Sequence, residues 1–236
     1  MNARMRLLAA PVALVLALGA AGCGGGDKQD SGTTETPAQV LAAAKKTLDD
    51  TSGVSIKLST DDLPGGVTGI TTAEGVGVHP SAFEGTFKLS VNGLPADAQV
   101  ISVDGDTYAK NSLLLPDWTK IDPADYGAPD PNDLMAPDNG FSGLLSATTD
   151  PKKGKTVRGG KDNKEILTSY SGTLPSTAVS KIIPTASGDF TVTYTVTDED
   201  ELREAVIKGV FYKGSDANTY DLVLDDYGTT KDIKAP

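Results

Sequence analysis

Two side chains in this sequence of 236 residues suit nucleophilic or metal chemistry: the single histidine, His79, and the single cysteine, Cys23. A Ser-His-Asp or Cys-His site needs the histidine beside a nucleophile, and no G-x-S-x-G turn is present. The segment GFSG, residues 140–143, lacks that spacing. His79 precedes Pro80 in a loop-like stretch and reads as solvent-exposed. One histidine and one cysteine cannot supply a zinc ligand set. Carboxylates are more numerous but poorly arranged for metal or acid-base work. Asp130, Asn132 and Asp133 in PDPNDL lack the glycine and the distal glutamate of a calcium loop. Asp225 and Asp226 are adjacent, so on one strand they point to opposite faces. TDEDE reads as a solvated hairpin turn. The glycine pairs at Gly65 and Gly159 lead into no helix that opens with Lys-Thr or Lys-Ser, so they read as turns and not as phosphate cradles. The expectation is a protein with no catalytic residue, no metal site and no cofactor, and therefore not an enzyme.

Cys23 has a different explanation. The chain opens MNARMR, with Arg4 and Arg6 as a positive segment, and continues LLAAPVALVLALG to the small residues Ala20, Ala21 and Gly22. This is the three-part layout of a secretory signal peptide, and its apolar run is short for a membrane span. A-A-G-C fits the bacterial lipobox, in which the cysteine sulfur takes a diacylglycerol, the chain is cut before it, and the new amine is acylated, palmitate being the expected chain. A buried thiol is a poor alternative, because Gly24, Gly25 and Gly26 follow directly. Residues 1–22 therefore read as a lipoprotein signal peptide, 23–36 as the acylated cysteine with a flexible tether, and 37–236 as one folded domain. Without Arg4 and Arg6 the 21 basic residues fall to 19 against 32 acidic ones, a formal net charge of −13. That charge argues against nucleic acid and against a polybasic grip on lipid head groups. Attachment to the extracytoplasmic face of the cell membrane then rests on acyl chains.

The elements that follow are mostly strands. Thr36, Pro37 and Gln39 make a capping box and a first-turn proline, and Val40, Leu41, Ala44 and Leu48 share one helical face ahead of Gly53. VSIKLST alternates, and FEGTFKLSVNG puts Phe83, Phe87, Leu89 and Val91 on one face before the hairpin signal Asn92-Gly93. AQVISVDGDTYAK holds two strands around Asp104-Gly105. The Pro- and Asp-rich stretch from Leu113 to Pro151 reads as short helices around Ala124–Tyr126, Asn132–Met135 and Gly140–Thr148. Strands resume with KEILTSYSGTL. STAVSKIIP follows as a helix capped by Ser176, then two strands around the acidic turn with Phe190, Val192, Tyr194 and Val196 alternating, and a last strand in TYDLVLDD. Nine to eleven strands in two runs, one leading helix and a helical insert make an α+β fold dominated by antiparallel sheet. One large curved sheet with helices on a single face satisfies the pattern. A closed barrel does too, but leaves the helices without a place. Gly75, Gly77 and Gly85 inside strands mark a bend or a close approach. With small aliphatic side chains around them, an enclosed cavity competes with an ordinary filled core.

From Ile101 to Leu145 the order of pieces resembles the LppX/LprA/LprF/LprG family of actinobacterial and mycobacterial lipoproteins. Val103-Asp104-Gly105, Tyr108-Ala109, Trp118, the Asp-Pro pairs and LMAPDNGFSGLL follow one another. Upstream, Leu63-Pro64-Gly65, Gly75, Pro80 and Gly85 are similarly placed, and VLDDYGTTKDIKAP is similar to the family's ending. The resemblance implies a strongly curved antiparallel sheet, like half a barrel, whose open side is closed by helices over a hydrophobic cavity. It further implies a membrane-anchored lipoprotein that carries acylated lipids or glycolipids in the cell envelope, shielding their tails. Tail contacts are then expected from Phe87, Leu89, Val91, Val100, Ser102 and Val192, with Met135, Phe141, Leu144 and Leu145 as cover and entrance. The alternative is a non-enzymatic envelope adaptor, or an accessory protein of a membrane transporter, with a filled core and an exposed apolar patch.

Overall fold

The computed structural model describes residues 35–91, 93–126 and 128–236. The segment read as a signal peptide, Cys23 and the stretch read as a tether, up to Thr34, lie outside the described residues. Residues 35–236 form one compact unit with its own core.

Eleven strands make one antiparallel sheet: β1 (Gly53–Ser59), β2 (Gly69–Val78), β3 (Ala82–Val91), β4 (Leu94–Val103), β5 (Asp106–Asn111), β6 (Leu115–Ile121), β7 (Thr149–Gly159), β8 (Glu165–Leu174), β9 (Ser187–Thr197), β10 (Leu202–Val210) and β11 (Asn218–Asp225). Their order is β6-β5-β4-β3-β2-β1-β11-β10-β9-β8-β7, so the sheet is not closed. It consists of two meanders, β1–β6 and β7–β11, joined where β1 pairs with β11 from Ser55↔Asp225 to Ser59↔Asp221. The free edges, β6 and β7, are consecutive in the chain. Residues 122–148 run between them and carry two 3-10 turns (Pro123–Tyr126 and Pro131–Asp133) and helix α2 (Phe141–Ala147).

Local chemistry accounts for the boundaries. Helix α1 (Pro37–Asp50) starts at the expected capping box: Gln39 N–H donates to Thr36 Oγ1 at 3.3 Å and Thr36 N–H to Gln39 Oε1 at 2.8 Å. Leu41, Ala44 and Leu48 are buried, and α1 packs chiefly on α2. The Lys45 ammonium ties the two regions by donating to the Pro137 carbonyl at 2.6 Å. Asp104 (φ 56°) and Gly105 (φ 81°) both take the left-handed conformation that a two-residue hairpin turn requires.

Several expectations need correction. β6 and β7 fall in segments too rich in proline and charge to read as strands. Both are edge strands, which bond on one side only, so Pro116 and Pro151 remove no ladder bond that matters and alternation is not enforced. Ser176 is not a cap. Pro175 holds that position and Ser176 is the first residue of α3 (Ser176–Val179). Asp226 has left the strand at φ 51°, so it does not oppose Asp225 across a sheet. His79 is half-buried, not exposed, and its Nε2 donates to the Leu48 carbonyl at 3.0 Å, fixing the β2–β3 turn to α1.

Candidate functional site

On the core face of β4 and β5 most inward positions are small. Ala96 and Ala98 on β4 and Ala109 on β5 stand beside Val100, and the register carries Phe87 to Ala98 and Val100 to Ala109. Alanines leave space where leucines would fill it. The result is a groove of about 420 Å³. Its floor is Phe87, Leu89 and Val91 of β3 with the β4 and β5 residues just named, and its far wall is Leu115 and Ile121 of β6. Pro123, Tyr126, Ala128, Pro129 and Pro131 of the insert also line it. A proline-rich wall suits an apolar space, because proline brings no backbone N–H needing a partner.

Beyond Phe87 lies a second space of about 50 Å³, bounded by Ile56, Ile70, Ala73, Phe83 and Ile207 on the sheet and by Leu134, Phe141, Leu144, Val179 and Ile183 from the insert and the α3 region. Phe87 and Pro129 line both spaces and form the neck between them. This inner slot is nearly filled, and the strand glycines explain how. Gly75 and Gly85 are paired across β2 and β3, and the Phe83 ring lies on them: a Cβ at either would sit 2.5 Å or 2.6 Å from Phe83 Cζ. Gly77 gives the same room to Met135 and Ile56. Here the glycines serve the close approach of side chains, not open space.

Most polar groups at the margins are paired, the exception being the buried Oδ1 of Asn132, which has no partner among the described residues. At one end of the inner slot Tyr212 and Tyr220 share a hydrogen bond of 2.6 Å, and Tyr220 donates to the Ile70 carbonyl at 2.7 Å. Burial pushes both phenols up, so they stay neutral. At one end of the groove Thr107 belongs to a buried cluster with Ser102, Asp130 and Asn132. Asn132 Nδ2 donates to Asp130 Oδ1 at 3.1 Å and to Thr107 Oγ1 at 3.3 Å. Asp130 thereby caps the second 3-10 turn, accepting from Asn132 N–H at 3.0 Å. Among the described residues no group of three or more His, Cys, Asp or Glu is arranged to hold a metal ion, and no helix is long and apolar enough to cross a membrane.

The anticipated residues separate into three sets. Phe87, Leu89, Val91 and Val100 line the groove, while Phe141 and Leu144 line the inner slot. Met135, Leu145 and Val192 are buried in the core and border neither space, and Ser102 is fully buried against Thr107. Cys23 lies outside the described residues. The sequence reading passed over Ala96, Ala98 and Ala109, although the alternation that singles out Val100 and Ser102 includes the first two and Ala109 pairs with Val100. It also passed over Leu114, Leu115, Ile121 and the insert prolines that line the groove, for which no periodic signal exists.

Residues 36–233 match the sequence model of the LppX_LprAFG lipoproteins. This chain belongs to that family. The lipoarabinomannan carrier proteins LprG of Mycobacterium tuberculosis (strain ATCC 25618 / H37Rv) and Mycobacterium bovis (strain BCG / Pasteur 1173P2) are each 24% identical to it over 217 residues, covering 92% of this chain and 89% of theirs. Among solved structures, LprF from M. bovis superimposes with a TM-score of 0.66 at 16% identity, covering 85% of this chain and 96% of that one. LppX from M. tuberculosis gives 0.61 at 17% identity, covering 84% and 98%. The eleven-stranded open sheet is therefore the LppX_LprAFG fold. Membership places the chain among lipoproteins of the cell envelope, in a family of carrier type with lipid-carrier relatives.

Proposed function

We propose that this protein is a membrane-anchored carrier of acylated lipids or glycolipids, held by acylated Cys23 after loss of residues 1–22 and standing off the membrane on residues 24–36. In this reading the sheet curves as a half-barrel, and the insert and α3 close it over the cavity. The groove carries the proposal: about 420 Å³ walled almost wholly by carbon, within the 300–1,000 Å³ usual for small-molecule sites. An acyl chain moved from water into such a space gains about 0.8 kcal/mol per methylene, and no covalent chemistry is needed. A groove of this size suits one chain. Cargo with two or three chains requires the neck at Phe87 and Pro129 to open into the inner slot.

The adaptor reading, with a membrane transporter as partner, draws on the inner slot of about 50 Å³, which is close to a filled core. One experiment separates the two. Residues 35–236 are produced in an actinobacterial host, weighed by native mass spectrometry, and extracted for lipid analysis. An acylated lipid at about one per protein is the expected result. An empty protein that also refuses diacyl and triacyl lipids would overturn the carrier reading.

A further inference from the structure

Three leucines stand in water at one end of the groove: Leu94 is 70% exposed, Leu113 88% and Leu114 80%. Leu94 begins β4 at the β3–β4 turn, where Val91 pairs with it; Leu113 and Leu114 form the β5–β6 turn, where Asn111 pairs with Leu115. Since β4 and β5 are neighbours and antiparallel, both turns lie at the same end of the sheet. Val91 and Leu114 belong to the groove wall as well, so the apolar tips adjoin the groove, whose lining at this end also includes Asp97 and Asn111.

The display is built. Asn111 Oδ1 accepts from Leu113 N–H at 2.8 Å and from Leu114 N–H at 3.0 Å, and Asn111 Nδ2 donates to the Asp97 carbonyl. The turn is thereby fixed to β4 with its two leucines pointing away from the core. Holding apolar side chains in water runs against burial unless something covers them.

We infer that these two hairpin tips are a docking surface for the bilayer interface, which they enter so that an acyl chain passes between membrane and groove without crossing water. Two observations favour a bilayer over a protein partner. Three side chains on two turns fall far short of the roughly 800 Å² per partner that a stable protein interface takes. The second is the chain outside the structure: twelve residues lie between Cys23 and Thr36, and the thirteen steps reach at most ~45 Å, so an anchored domain is confined beside a membrane. With Arg4 and Arg6 lost, 19 basic residues face 32 acidic ones, and a formal net charge of −13 gives no overall attraction to anionic head groups, so docking draws on apolar contact. The inference rests on the proposed anchor at Cys23 for the confinement and on the carrier reading for the traffic of lipid; docking itself needs no cargo.

The test uses flotation of residues 35–236 with phosphatidylcholine vesicles, and with vesicles containing one quarter phosphatidylglycerol. The comparison is Leu94→Ser/Leu113→Ser, two positions outside the groove wall. The protein is expected to float with the neutral vesicles, no better with the anionic ones, and no worse as salt rises. The double variant is expected to lose at least tenfold in vesicle partitioning while binding a soluble fluorescent fatty acid as before. Vesicle binding that needs the leucines, in a protein that takes up no acyl chain, keeps the docking surface and removes the carrier reading. Fatty-acid binding with flotation indifferent to the leucines overturns the docking surface. A concentration-dependent dimer in sedimentation that the double variant abolishes, without vesicle binding, assigns the tips to a second copy and overturns it equally.

Discussion

Truncating Phe87 tests the neck. The side chain is 6% exposed, and its ring lies 5.5 Å from that of Phe83 at a tilt of 52°. Phe87→Ala is expected to cost about 3–5 kcal/mol of stability, including about 1 kcal/mol for the lost ring pair. That is a large part of the 5–15 kcal/mol typical of a domain, so Phe87→Leu serves as the milder partner. The effect on binding has the opposite sign. Removing the ring joins the groove to the inner slot, and every further methylene that enters adds about 0.8 kcal/mol, roughly fourfold in Kd. Four more methylenes give about 3 kcal/mol, on the order of two hundredfold. The assay is calorimetric titration of residues 35–236 with saturated lysophospholipids of increasing chain length. For the native protein, log Kd is expected to fall with length and then flatten where the groove is full. In a variant shown folded by its melting transition, the flattening should move to longer chains. Identical break points in both proteins would refute the neck, and so would a native curve that never flattens.

Gly85→Ala forces a methyl group against the Phe83 ring and the Glu74 backbone, and urea unfolding should show a loss of about 1–3 kcal/mol. Thr36→Ala removes one half of the capping box and should cost about 1 kcal/mol, with faster amide exchange confined to the first turn of α1. Asp62 accepts the Thr219 N–H at 2.9 Å, and that bond holds its carboxyl below the ordinary range. Because the folded value is the lower one, the clamp is complete above the unfolded value of about 4 and is lost as pH falls through the folded value, so the Thr219 amide shift should titrate with a midpoint below 4. Arg203 bridges Glu165 at 2.8 Å and Glu201 at 2.7 Å. Burial pushes the Glu201 carboxyl up, and Arg203→Leu should push it further, so the variant loses most stability as pH rises through the Glu201 range and recovers part of it in acid, as melting temperatures from pH 4 to 8 will show.

How much of this was legible depends on whether a residue's neighbours are near in sequence. The α1 start was readable because its cap lies within four residues, and the β4–β5 hairpin because Asp104-Gly105 decides it alone. β6 and β7 were not readable, since an edge strand owes its conformation to one partner and carries no alternation of its own. For the groove, alternation puts Phe87, Leu89 and Val91 together on the face that lines it. It could not say which inward residues meet space and which meet packing. Val192 points inward just as Val100 does, yet it is packed into the core at 2% exposure while Val100 faces the space above Ala98 and Ala109. Ser102 shares that face and ends in a polar cluster because Thr107, directly opposite, is itself held by Asp130 and Asn132. The insert prolines that line the groove have no period, so their role appears only once β6 and β7 are known to be the open edges.

The pairing of the first strand with the last has a consequence for how the molecule is assembled. Ser55 and Asp226, hydrogen-bonded at the seam, are 171 positions apart. A chain made from its N-terminus can build the β1–β6 meander early, but β1 keeps an unpaired edge until β11 arrives. Long-range pairing of this kind is slow, and a bare edge in the waiting intermediate is a template for association with other chains. Loss of the final strand would therefore do more than remove eight residues: it would leave two half-sheets, each with an open edge at what should be the centre, prone to aggregate instead of fold.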